Sequence, residues 1–226
     1  MGEMIEFPSN GSNAIGYLAT PEGGQGPGLI VIQEWWGLVD HIRDVCDRFA
    51  AAGFVALAPD LYHGVTVAEP DEAGKAMMAL EMAGAARDMS GAVDELGKRS
   101  SGDHIGVIGF CMGGGLALVL ATQRPDVVSA VVPCYGVIPW PDAQPDYAAM
   151  TAAVLGHYAG KDDFFTPEAA QELATKLRDL GKDVEIIVYP EADHAFFNDT
   201  RPEVYDAPAA AALWTRTLEF FREHLS

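Results

Sequence analysis

Around position 111 the sequence reads Gly109-Phe110-Cys111-Met112-Gly113-Gly114. A short apolar run at 104–109 precedes it and a helical stretch at 113–122 follows. A nucleophilic residue with glycine two places away on either side, set between strand and helix, has the pattern of a nucleophile elbow. The turn is too tight for side chains beside it, and it lifts its central residue to the N-terminus of the following helix. There the helix dipole favours negative charge, and hence a thiolate. Cys111 is therefore the expected nucleophile.

A thiol nucleophile needs a base, and the base needs a group that orients it. In elbow-bearing hydrolases the acid and then the histidine follow the nucleophile along the chain. After an apolar run at 152–158 comes Ala159-Gly160-Lys161-Asp162-Asp163, and after another at 184–189 comes Pro190-Glu191-Ala192-Asp193-His194. His194 is the expected base, because it alone among the six histidines follows the last strand. The other five fall within helices and strands or at earlier strand ends. Either Asp162 or Asp163 suits the acid on position alone. Gln33-Glu34-Trp35-Trp36-Gly37 follows the first buried strand and occupies the loop that supplies one oxyanion-hole amide. The expected donors are the backbone N–H groups of Trp35 and Met112. Glu34 places a carboxylate beside the thiol. Cys46, on the apolar face of a helix, and Cys134, at a strand end, read as packing residues.

The elements that must hold these residues alternate. Two short strands, near 5–7 and 14–18, precede a repeated strand–helix pattern. Apolar strands are expected at 29–33, 54–58, 104–109, 127–132, 152–158 and 184–189. Helices are expected at 39–52, at 69–98 in two pieces with Gly84 near the break, and at 113–122, 167–180 and 207–225. Such alternation predicts an α/β fold, a mostly parallel sheet of about seven to eight strands with helices on both faces. In such sheets functional groups gather beyond the carboxyl ends of the strands, which is where Glu34, Cys111, Asp162 and His194 stand.

These pieces, together with Ala58-Pro59-Asp60-Leu61-Tyr62 and His194-Ala195-Phe196, resemble the dienelactone hydrolase family (carboxymethylenebutenolidases, of the α/β-hydrolase superfamily) over nearly the whole chain. The resemblance selects Asp162 over Asp163 and implies a Cys111–His194–Asp162 triad working through an acyl-cysteine. It also implies that Glu34 holds the resting thiol and takes its proton when substrate binds. The substrate class implied is a small carboxylic ester or lactone. The family's carboxylate-gripping arginines have no match: Asn198 stands four residues after His194, Ala195 directly follows it, and no arginine lies between Arg48 and Arg87. The expected substrate contacts are Trp36, Phe110, Asn198 and Arg87. A non-hydrolytic binding or redox-sensing protein on the same scaffold is the alternative, motivated by the three cysteines.

The bulk numbers agree with this class. With 226 residues, 49% hydrophobic, the chain suits a single domain over 1–226. Fourteen Lys and Arg against 33 Asp and Glu leave a net charge of −19, which argues against nucleic acid or anionic membrane as partner. Three cysteines do not make a disulfide framework. No stretch reads as a signal peptide or a membrane span, so a cytoplasmic enzyme is expected. No His, Cys or carboxylate spacing calls for a metal, and no organic cofactor is expected.

Overall fold

A computed structural model describes residues 2–9, 11–138 and 144–225. Eight strands form one sheet in the order β1-β2-β4-β3-β5-β6-β7-β8. The hairpin of β1 (Glu3–Ser9) and β2 (Ser12–Ala19) is antiparallel, and β2 lies antiparallel to β4 (Val55–Pro59). From β4 onward every neighbour is parallel: β3 (Pro27–Ile32), β5 (Ser101–Phe110), β6 (Val128–Cys134), β7 (Ala153–Ala159) and β8 (Val184–Tyr189). β4 and β7 are buried at every residue, as parallel strands covered on both faces must be. This is the expected α/β-hydrolase architecture.

Two helices share one face. α1 (Asp40–Ala51) turns Ile42, Val45, Cys46 and Phe49 inward, and Phe49 meets Trp214 and Phe221 of α6 (Ala207–His224). Opposite them, α3 (Met82–Leu96) packs against α4 (Met112–Gln123). α4 is buried without interruption from Met112 to Ala121; a helix apolar all round belongs in a core. α5 (Pro167–Asp179) starts at a Thr166 cap that accepts from the Ala169 N–H.

The helical stretch after residue 69 breaks earlier than its glycine predicts. α2 (Pro70–Ala79) and α3 part at Leu80 and Glu81, both in extended backbone. Gly84 lies inside the first turn of α3, and a Cβ there would make only ordinary contact, 3.7 Å from Glu81 Cβ. Leu80 instead turns toward the apolar cavity described below.

Candidate active site

One residue separates β5 from α4. Cys111 has φ 54° and ψ −120°, a conformation that a side chain adopts only when its surroundings compel it. The compulsion is visible in its neighbours. A Cβ on Gly109 would sit 1.9 Å from the Gly113 carbonyl oxygen, and one on Gly113 would sit 2.5 Å from the Ile32 and Gln33 oxygens. A Cβ on Gly136 would meet the Cys111 oxygen at 1.9 Å. The Cys111 N–H donates to the Cys134 carbonyl (3.0 Å), and the Cys111 carbonyl accepts from the Gly114 N–H (2.9 Å). The elbow is thus clamped between β3, β6 and its own helix.

The loops after β7 and β8 touch. A Cβ on Gly160 would strike the Pro190 oxygen at 2.4 Å, and the Lys161 N–H donates to the Ala192 carbonyl at 3.0 Å. This close approach brings together side chains 32 residues apart: Asp162 Oδ2 lies 2.6 Å from His194 Nδ1. The other carboxylate oxygen, Oδ1, accepts from the Phe164 and Phe165 N–H groups at 2.8 and 3.0 Å. Burial works against the Asp162 carboxylate, but His194 and the two amides outweigh it and hold its pKa below the usual value. Asp163, beside it, is exposed.

On its other side His194 interacts with the Cys111 side chain. Burial disfavours the imidazolium, yet the bonds to Asp162 and Cys111 and their charges prevail and push its pKa up to about 10. Rings enclose the imidazole: Tyr135 lies edge-on at 5.3 Å, Phe165 at 5.8 Å and Phe164 at 6.1 Å. Tyr135 is itself held at a positive φ of 36°, directly after Cys134.

Glu34 is buried, and burial raises its pKa despite the Asn198 hydrogen bond and the charges of His194 and Arg201. Its Oε2 accepts from Asn198 Nδ2 at 2.9 Å, and its Oε1 has no partner. The implied hold on the resting thiol is therefore absent among the described contacts: the thiol turns to His194 and the carboxyl to Asn198. Asn198 Oδ1 accepts from the Thr200 N–H and Oγ1 at 3.1 and 2.6 Å. Expected to touch substrate, Asn198 is buried and works as the support of Glu34.

The other expected contacts scatter. Phe110 is fully buried, stacked on Phe197 at 5.4 Å and flanked by His41 and Tyr135; an alternate strand residue facing the core cannot meet a ligand. Arg87 is exposed and lines a cavity of about 450 Å³ with His63 and Asp88, to which neither Cys111 nor His194 contributes. Trp36 is half-buried in a separate cavity with Asn198 and Arg201, the Arg201 guanidinium standing 5.6 Å from its ring. Trp35 is half-buried edge-on to Trp36. The Trp35 and Met112 N–H groups donate to no backbone carbonyl among the described bonds. Three residues escaped sequence reading. Tyr62 reaches the Met112 sulfur at 3.7 Å, Tyr135 packs on His194, and Phe165 serves both Asp162 and the base. Only their places directly after strands or beside Asp162 signalled them.

Cys46 and Cys134 are buried, and burial pushes both thiols up. Among the described residues no group of three or more His, Cys, Asp or Glu is placed to hold a metal ion. No described helix is long and apolar enough to cross a membrane.

Comparison with known proteins adds the context. The sequence pattern of the dienelactone hydrolase family matches residues 15–225. Protein usf of Aquifex pyrophilus is 40% identical over 235 residues, covering all of both chains. A relative from Aquifex aeolicus (strain VF5), provisionally named a carboxymethylenebutenolidase, is 34% identical over 233 residues, again over the whole of both chains. The crystal structure of a protein from Klebsiella pneumoniae, provisionally named a dienelactone hydrolase, superposes with a TM-score of 0.90 at 30% identity, covering 99% of each chain.

Proposed function

The chain belongs to the dienelactone hydrolase family and is a hydrolase of the ester and lactone type; from that premise we propose that it works through a Cys111–His194–Asp162 triad and an acyl-cysteine intermediate, within a single domain spanning 1–226. The observation that carries this reading is the line of contacts from Asp162 through His194 to the thiol, ending on the one strained residue of the elbow.

In the reacting pair the proton is on His194 and the charge on sulfur. The thiolate attacks the carbonyl carbon, and the C=O π electrons move to oxygen, facing the Trp35 and Met112 amides. Collapse expels the alkoxide, which takes the His194 proton and leaves as an alcohol. The sulfur is now a neutral thioester. It no longer supports the imidazolium, so the His194 pKa falls toward the range in which a base operates at neutral pH. Neutral His194 removes a proton from water, and the resulting hydroxide attacks the thioester. The second collapse returns the electron pair to sulfur, releases the acid and restores the ion pair. Asp162 holds Nδ1–H so that Nε2 faces the sulfur throughout.

Glu34 belongs to this machinery as a buried carboxyl, its pKa raised by burial, in the loop that carries the Trp35 amide. The test is turnover of p-nitrophenyl acetate by wild type, Cys111→Ala and Cys46→Ala. Loss of activity in Cys111→Ala with retention in Cys46→Ala is expected; unchanged turnover in Cys111→Ala refutes the nucleophile.

A further inference from the structure

A third cavity, about 60 Å³, is lined by Met112, the residue after the nucleophile; neither Cys111 nor His194 lines it, and every described residue that does is apolar. Two of its lining residues neighbour the reacting centre. Met112 directly follows the nucleophile and carries one expected oxyanion amide. Phe165 lies 5.8 Å ring to ring from His194 and donates its amide to Asp162. Leu116 of α4 and Ile138, after β6, are nearly inaccessible and form the floor. Leu80, from the break between α2 and α3, stands between this cavity and the one that Arg87 lines, and Met82, at the start of α3, is 36% exposed and forms the rim.

We infer that this cavity is the acyl pocket of the enzyme and that it selects short, uncharged aliphatic acyl groups. The inference rests on the hydrolase reading above and specifies its substrate. A carbonyl carbon on Cys111 with its oxygen toward the Met112 N–H has two remaining substituents, and in this assignment the acyl chain lies along the Met112–Phe165 wall. The alcohol has to leave and water has to replace it, so the leaving group belongs on the open side. A pocket with a buried floor suits the part that stays bound to sulfur through both steps. Its size admits a chain of a few carbons. Its chemistry rejects a carboxylate, because burying an unpaired charge among methionines, leucine and valine is strongly unfavourable, and the protein's net charge of −19 adds to the penalty. Arg87 and Arg201 line other cavities and offer no compensation.

The experiment compares p-nitrophenyl esters that differ only in the acyl group, so that the leaving group is constant. From acetate to butanoate kcat/KM should rise by up to about fourfold for each methylene that enters the pocket, and it should fall by dodecanoate. The hemisuccinate, matched in length to pentanoate but anionic, should be slower by at least roughly a hundredfold. Leu80→Trp, which fills the cavity from its half-buried wall, should lower butanoate turnover more than acetate turnover and flatten the profile, chiefly through KM. A flat wild-type profile, or a hemisuccinate turned over as well as pentanoate, overturns the pocket while leaving the hydrolase reading intact. Absence of turnover for every ester, acetate included, refutes the hydrolase reading and the pocket with it.

Discussion

Replacing Asp162 by asparagine isolates the orienting role of the acid. Oδ1 accepts two backbone N–H groups, from Phe164 and Phe165, so the new side chain must keep its oxygen there. Its NH2 group is then forced toward His194 Nδ1, which in the wild type lies 2.6 Å from a carboxylate oxygen. The imidazole responds by accepting at Nδ1 and carrying its proton on Nε2, the nitrogen that must take a proton from water. The wild-type His194 pKa, about 10 against burial that alone would lower it, corresponds to on the order of 5 kcal/mol in favour of the imidazolium. Asp162 is the first of the two partners that supply it. A raised histidine pKa contributes stability that is complete below about pH 6.5 and is lost as pH rises through about 10. Asp162→Asn should therefore move the His194 titration, followed by NMR of the ring Cε1 proton, down toward 6.5. It should lower kcat/KM for p-nitrophenyl acetate by roughly 10³–10⁴-fold, the effect of a wrong tautomer in related triads. Asp163→Asn, on the exposed neighbour, should behave as wild type. An Asp162→Asn enzyme within tenfold of wild type and with an unmoved titration would refute the assignment.

Two further outcomes test the scaffold. Gly109→Ala sets a Cβ 1.9 Å from the Gly113 carbonyl, backbone against backbone, and should destabilise the fold by more than about 4 kcal/mol in urea denaturation; a soluble variant of near-native stability would show the elbow to be more compliant than its geometry. Asn198→Ala leaves Glu34 Oε2 buried without its donor and should cost about 1–3 kcal/mol at pH 7. Burial already raises the Glu34 pKa, with Asn198 opposing it, so the native state disfavours ionised Glu34 and stability falls as pH rises above the unfolded carboxyl range. The penalty should thus shrink at pH 4, where Glu34 is protonated folded or unfolded; a pH-independent penalty would show that Asn198 does not act through this charge.

Much of the site was legible in the sequence because its logic is local. The elbow is written in consecutive residues, since a turn that excludes side chains must spell out its glycines. The strands are apolar runs because both faces of a parallel sheet are covered, and the loops after them carry Glu34, Asp162 and His194 because that is where such sheets open to solvent. What the sequence could not decide were partnerships between distant segments. Asn198 meets Glu34 across 164 positions, and only the docking of the last loop against the first shows that the amide supports the carboxyl instead of awaiting substrate. Phe110 adjoins the nucleophile in sequence yet points into the core, because neighbours on a strand face opposite ways. Arg87 is one helical segment from the site, but its face of α3 lines a different cavity. The apolar pocket is assembled from the α2–α3 break, α4, the loop after β6 and Phe165. No single stretch contains it, so it exists only once the helices have packed on the sheet.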